Sequence, residues 1–100
     1  MDPDLPEFMI ADVVVSTAGR DAGTLFYVIE QDETYLQLVN GKDRSLEKPK
    51  CKKRKHARKV LRSETRVAQK LRNGDKVLNS ELRRDLAYFS RELQGTAQGG

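Results

Sequence analysis

One hundred residues, 37% of them apolar, suffice for one modest domain with tails, since a domain takes about 100 to 200 residues. No apolar run approaches the roughly eighteen residues of a membrane span, and one cysteine, Cys51, excludes an internal disulfide, so a cytoplasmic, reducing setting is expected. The net charge of +4 conceals a division: residues 1–43 hold nine acids against Arg20 and Lys42, whereas residues 48–62 hold nine bases and no acid.

Residues 1–7 carry two prolines and three acids, unlike the basic start of a signal peptide, and read as a disordered lead-in. Phe8, Met9 and Ile10 then open the ordered part. Val13 to Val15, Leu25 to Ile29 and Tyr35 to Val39 are short runs of β-branched, aromatic and aliphatic residues, the composition of half-buried strands. Thr17 to Gly23 is a shaped connection in which Gly19 and Gly23 supply positive φ or a close backbone approach and Asp21 accepts local hydrogen bonds. Gln31 to Thr34 is a short acidic turn, and Asn40-Gly41 is a strong hairpin signal, so a meander is expected. Lys42 to Lys48 reads as a short edge strand or loop with Leu46 turned inward, and Pro49 marks a strand end. The last strand is expected within Lys50 to Lys59, with Cys51 and the stem of Lys53 packed inward and the sheet complete near Leu61.

Beyond that point the apolar period changes from two to that of a helix. Val67, Ala68 and Leu71 share a face of a short helix over residues 64–72, which Asn73-Gly74 ends with a left-handed cap. A second helix starts at a cap supplied by Asn79 or Ser80, with Glu81 in its first turn and Leu78 packing back on Leu82 as a staple. Leu82, Leu86, Phe89 and Leu93 recur on one face; that stripe packs on the strands or docks on a protein partner. Residues 95–100 are expected to form a flexible tail.

The run Val-Val-Val-Ser-Thr-Ala-Gly-Arg-Asp-Ala-Gly, followed by an apolar strand, an acidic turn and Leu-Gln-Leu-Val-Asn-Gly, resembles a KOW motif. It is similar to the KOW-type large-subunit ribosomal protein of archaea and eukaryotes and to short bacterial KOW proteins. The likeness covers about Ala11 to Lys59 and is most specific in the loop Gly19 to Gly23; a looser likeness to the bacterial proteins continues through Gly74 to Leu86. The resemblance implies a five-stranded SH3-like barrel over residues 8–62, a helical appendage over 63–94, and RNA as partner, in particular ribosomal RNA of the large subunit.

The block Pro49 to Lys59 carries the clearest chemistry. Lysine and arginine at that density neutralise phosphates and release condensed counterions. The candidate RNA-binding residues are Arg20, Lys42, Lys48, Lys50, Lys52, Lys53, Arg54, Lys55, His56, Arg58, Lys59 and Arg62. A solvated face, or loose contact with another anionic surface, is the duller reading of such a run. The resemblance favours RNA, and its first loop implies a role for Arg20.

Tyr27 and Tyr35 have faces on which bases can stack, but aromatics inside short strands are ordinarily core, Phe26 above all. Cys51 and His56, five apart, fall on opposite faces of an extended strand, which argues against a Cys–His nucleophile; one of each cannot supply a closed zinc site. No phosphate-binding glycine motif is present, and no cofactor, catalysis or membrane partner is expected. The rival readings are a transcription-linked KOW module and an adaptor that assembles through the second helix.

Overall fold

The computed structural model describes residues 7–98, with side chains to residue 93; all but Glu7 of the expected lead-in, and residues 99–100 of the expected tail, lie outside them. Five strands run β1 Asp12–Ser16, β2 Leu25–Gln31, β3 Tyr35–Val39, β4 Lys50–Lys53 and β5 Ala57–Arg62, followed by the helices α1 Arg66–Asn73 and α2 Asn79–Gln98. The strands form one antiparallel sheet in the order β4-β3-β2-β1-β5.

Alternation along the strands sends neighbouring residues to opposite faces, and both faces are apolar. Val14, Phe26, Val28, Leu36 and Leu38 gather on one face with Phe8 and Ala57. Val13, Tyr27 and Val39 gather on the other with Ala11, where Val67 and Ala68 of α1, Val77, and Leu82 and Leu86 of α2 cover them. Register follows the same rule: Val14 lies opposite Phe26, and Val13 opposite Tyr27. Irregularities in the ladder fall between Val28 and Glu30 and between Val13 and Val14.

The basic stretch departs from the expected single strand. It bends at a 3-10 turn over Arg54–His56, which splits it into β4 and β5 at opposite edges of the sheet order. The inward residue of β4 is also not the expected one: Lys52 is 8% exposed, whereas Cys51 and Lys53 are exposed. Register is the cause, since Lys52 pairs with the buried Leu36 and therefore shares its face, while Cys51 pairs with Gln37.

Asn40-Gly41 does not make a two-residue hairpin, because β4 begins only at Lys50. The Asn40 side chain accepts from the Lys42 and Arg44 amides at 2.9 Å each, which opens a longer loop. Gly41 takes φ +75°, and a Cβ there would run into the Asn79 carbonyl, so the glycine admits the start of α2.

Thr65 caps α1 by accepting from the Ala68 amide, which moves the helix start from the expected residue 64 to Arg66. Gly74 ends it at φ 76°, its amide and that of Asp75 bonding back to Leu71 and Lys70. At α2 neither Asn79 nor Ser80 is the cap. The Leu78 carbonyl accepts the first helical bonds, and its amide donates to Glu81 Oε1 at 3.0 Å, half of a capping box. Asn79 instead binds the loop, accepting from the Leu46 amide and donating to Glu47. Leu78 is 52% exposed and makes no staple. The backbone of α2 continues to Gln98, through the start of the expected tail, because one helical glycine costs only about 1 kcal/mol relative to alanine.

Candidate nucleic-acid interface

The loop from Ser16 to Gly23 is built by its glycines, with φ +85° at Gly19 and +90° at Gly23. It closes through Gly23 N–H to the Ser16 carbonyl at 2.8 Å and Ala22 N–H to the Gly19 carbonyl at 3.2 Å. Inside it, Asp21 accepts from Ser16 Oγ at 2.7 Å and from Lys52 Nζ at 2.8 Å, and Lys50 Nζ lies 2.9 Å from its second oxygen. Lys52 completes its own coordination on Ser16 Oγ and the Ala18 carbonyl. Burial alone would raise the Asp21 carboxyl, but the hydrogen bonds from Lys52, Lys50 and Ser16 outweigh it and hold the group well below the usual carboxylate range. Two of the candidate bases therefore serve the protein itself, fastening the loop to β4. Arg20, one residue before the clamp, is exposed.

Other candidate bases are also paired. Lys59 Nζ sits 3.1 Å from Oδ2 of the buried Asp12, which also accepts from the Met9 amide. Arg62 lies 3.4 Å from Glu64. Arg54 donates to Gln31 Oε1 at 2.9 Å and the Asp32 carbonyl at 3.0 Å, with its guanidinium 5.2 Å from the Phe8 ring centroid. Arg20, Lys42, Lys48, Lys53, Lys55 and Arg58 are exposed and form no ion pair among the described residues. His56 is half-buried, and its carbonyl accepts from the Thr17 amide at 2.9 Å, joining the 3-10 turn to the glycine loop.

The bend between β4 and β5 brings the basic turn beside the acidic one. Tyr35 pairs with Lys53, and the Arg54 amide donates to the Thr34 carbonyl at 2.9 Å. Asp32 shapes the acidic turn by accepting from the Tyr35 and Thr34 amides, which lower its carboxyl below the ordinary range. Between the turns lies a cleft of about 560 Å³, walled by Phe8, Ala57, Thr34 and the three consecutive bases Lys53, Arg54 and Lys55, with Glu33 at its lining. Neither Phe8 nor Thr34 is legible as a site residue in sequence. The pairing of β3 with β4 brings Thr34 there and packing against the apolar cluster brings Phe8, and no local pattern reports either.

Tyr27 is fully buried, in keeping with its place in a strand, while Tyr35 is 38% exposed. The Tyr27 hydroxyl donates to Asp85 Oδ2 at 2.7 Å and lies 2.9 Å from Ser63 Oγ; burial first, with the neighbouring Asp85, pushes it up to about 12. The helical stripe is mostly consumed: Leu82 and Leu86 are buried and Phe89 packs against the same core, which leaves Leu93, at 41% exposure, outside it. The four do not form an open partner face.

Among the described residues no group of three or more His, Cys, Asp or Glu is placed to hold a metal ion, and no helix is long and apolar enough to cross a membrane. In comparisons with known proteins, no family model matches the chain, and no curated protein matches it in sequence.

Proposed function

We propose that the protein is a non-catalytic RNA-binding protein of KOW type, its sheet an SH3-like barrel, acting on ribosomal RNA as a ribosomal or ribosome-associated component of translation. The observation that carries this reading is the exposed set Lys53, Lys55 and Arg58 around the β4–β5 bend, without an ion pair among the described residues, beside a glycine loop fastened by Asp21. Cationic side chains on a fixed scaffold meet phosphates without reordering their support. The barrel reading is supported by the apolar cluster of Phe8, Val14, Phe26, Val28, Leu36, Leu38 and Ala57, which lies on the sheet face away from the helices. An adaptor working through α2 is less well supported, since Leu82 and Leu86 are spent inside the core.

The test combines charge reversal with fractionation. Lys53→Glu together with Lys55→Glu and Arg58→Glu is expected to weaken binding to large-subunit ribosomal RNA by at least about a hundredfold, at roughly 1 kcal/mol or more per contact, with an unchanged far-UV circular dichroism spectrum. In sucrose gradients the wild type should travel with large ribosomal particles through moderate salt, and the triple variant should not. Undiminished RNA binding by the variant would overturn the RNA reading. Wild-type protein found only at the top of the gradient at low salt would overturn the ribosomal one.

A further inference from the structure

The cleft between the acidic and basic turns has more structure than a charged surface needs. Its volume of about 560 Å³ falls within the range of about 300–1,000 Å³ typical of small-ligand sites. Phe8 and Ala57 make part of it apolar, yet three successive bases border it. A phosphate alone would use the bases and gain nothing from the apolar wall. An aliphatic ligand would use the wall and leave the charges without purpose. A ligand with a flat, weakly polar ring and an attached phosphate uses both.

Arg54 adds the second element. Its guanidinium is clamped by Gln31, the Asp32 carbonyl and the Phe8 ring, so its plane is fixed before any ligand arrives. Bases of unpaired RNA stack on guanidinium planes as they do on aromatic rings, and a pre-ordered plane spares the entropy of ordering it. Lys53 and Lys55, one residue to either side, are exposed and form no ion pair among the described residues. The Glu33 carboxylate, also lining the cleft, accepts from base amino or imino groups and repels phosphate. That polarity sets the orientation, base toward Glu33 and phosphate toward the lysines.

We propose that this cleft takes one unpaired nucleotide of RNA, its base against Ala57 and the Arg54 guanidinium and its phosphate between Lys53 and Lys55, an inference that rests on the RNA-binding reading and narrows it. Bases locked in an A-form helix cannot enter, so the protein selects loops, bulges or single strands over continuous duplex.

The experiment compares a short single-stranded RNA with a blunt duplex containing the same strand, at one salt concentration, for wild type and Thr34→Leu. Thr34 is exposed and lends the fold only its backbone, whose amide meets Asp32 and whose carbonyl meets Arg54, so leucine keeps every charge while narrowing the cleft. The single strand is expected to bind wild type about tenfold tighter than the duplex, the worth of one stacked base. Thr34→Leu should remove that advantage and leave duplex binding unchanged. A 2-aminopurine in the single strand should change its fluorescence on binding wild type, a readout that needs no variant. Equal binding of both RNAs, an unaffected Thr34→Leu variant, or a silent 2-aminopurine overturns the cleft proposal and leaves RNA binding standing. Failure of both RNAs to bind overturns the parent reading as well.

Discussion

Lys52 turns its ammonium toward the apolar face of the sheet, and it is tolerable there because Ser16, the Ala18 carbonyl and Asp21 all receive it. Removing the amine leaves Asp21 with Lys50 as its one remaining cation among the described residues, and breaking a largely buried pair from one side costs about 3–5 kcal/mol. Lys52→Ala should therefore lose about 3 kcal/mol of stability or more in urea unfolding. Acid should expose the same clamp. The folded-state carboxyl of Asp21 lies below its unfolded value of 3.8, so ionised Asp21 adds stability above about pH 4, and that stability is lost progressively as pH falls toward the folded value. Melting temperatures taken from about pH 6 to pH 2 should fall less steeply for Asp21→Asn than for wild type. Identical acid slopes would mean that the clamp does not feel its charge. Asp12 poses a related problem, because Oδ1 has no hydrogen-bond partner among the described residues while Oδ2 holds Lys59 and the Met9 amide.

Whole elements differ in how plainly the residues declare them. β1, β2 and β3 were readable because alternating valine, leucine and aromatic residues have one good solution, a sheet buried on both faces. The left-handed cap at Gly74 was readable for the equally local reason that its conformation favours glycine. β4 was not, since in Lys50-Cys-Lys-Lys53 the only apolar candidate is Cys51, and the inward position is set by Leu36 across the ladder. The role of Asn40-Gly41 escaped the sequence as well. Its conformation suits a hairpin, but what selects it is the approach of α2, some forty residues downstream, with Asn79 bonded to Leu46 and Glu47 on the same loop. Gly41→Ala must therefore meet both a positive φ, which costs an alanine about 1–2 kcal/mol, and the Asn79 carbonyl. Its urea midpoint should drop by more than the equivalent of about 2 kcal/mol, while Gly23→Ala, whose new methyl would meet nothing within 4 Å, should show only the backbone penalty. Equal losses at the two positions would argue that α2 does not rest on Gly41.

At the scale of the molecule, strands and helices are joined by one polar knot as well as by apolar packing. Tyr27 of β2, Ser63 and Thr65 of the link after β5, and Asp85 of α2 converge within hydrogen-bond distance. Tyr27→Phe should cost about 1–2 kcal/mol while unfolding remains a single transition, because one apolar cluster spans sheet and helices. The same integration limits how much charge the candidate interface can offer a partner. Eleven lysines and arginines were candidates by sequence, and full engagement with a single strand would give a log-log salt slope of about −8, at about −0.7 per contact. Of these eleven, Arg20, Lys42, Lys48, Lys53, Lys55 and Arg58 are exposed without an ion pair among the described residues. Their full engagement gives about −4. Filter binding to a single-stranded RNA across salt should return a slope no steeper than that, and Lys53→Ala with Lys55→Ala should flatten it by about 1.4. A slope near −8 would mean that RNA reaches past these six, either to the exposed bases outside the candidate set, such as Arg44, Arg66, Arg83 and Arg84, or to the bases now held by Asp21 and Asp12, and the interface would then be wider than the β4–β5 bend and the glycine loop.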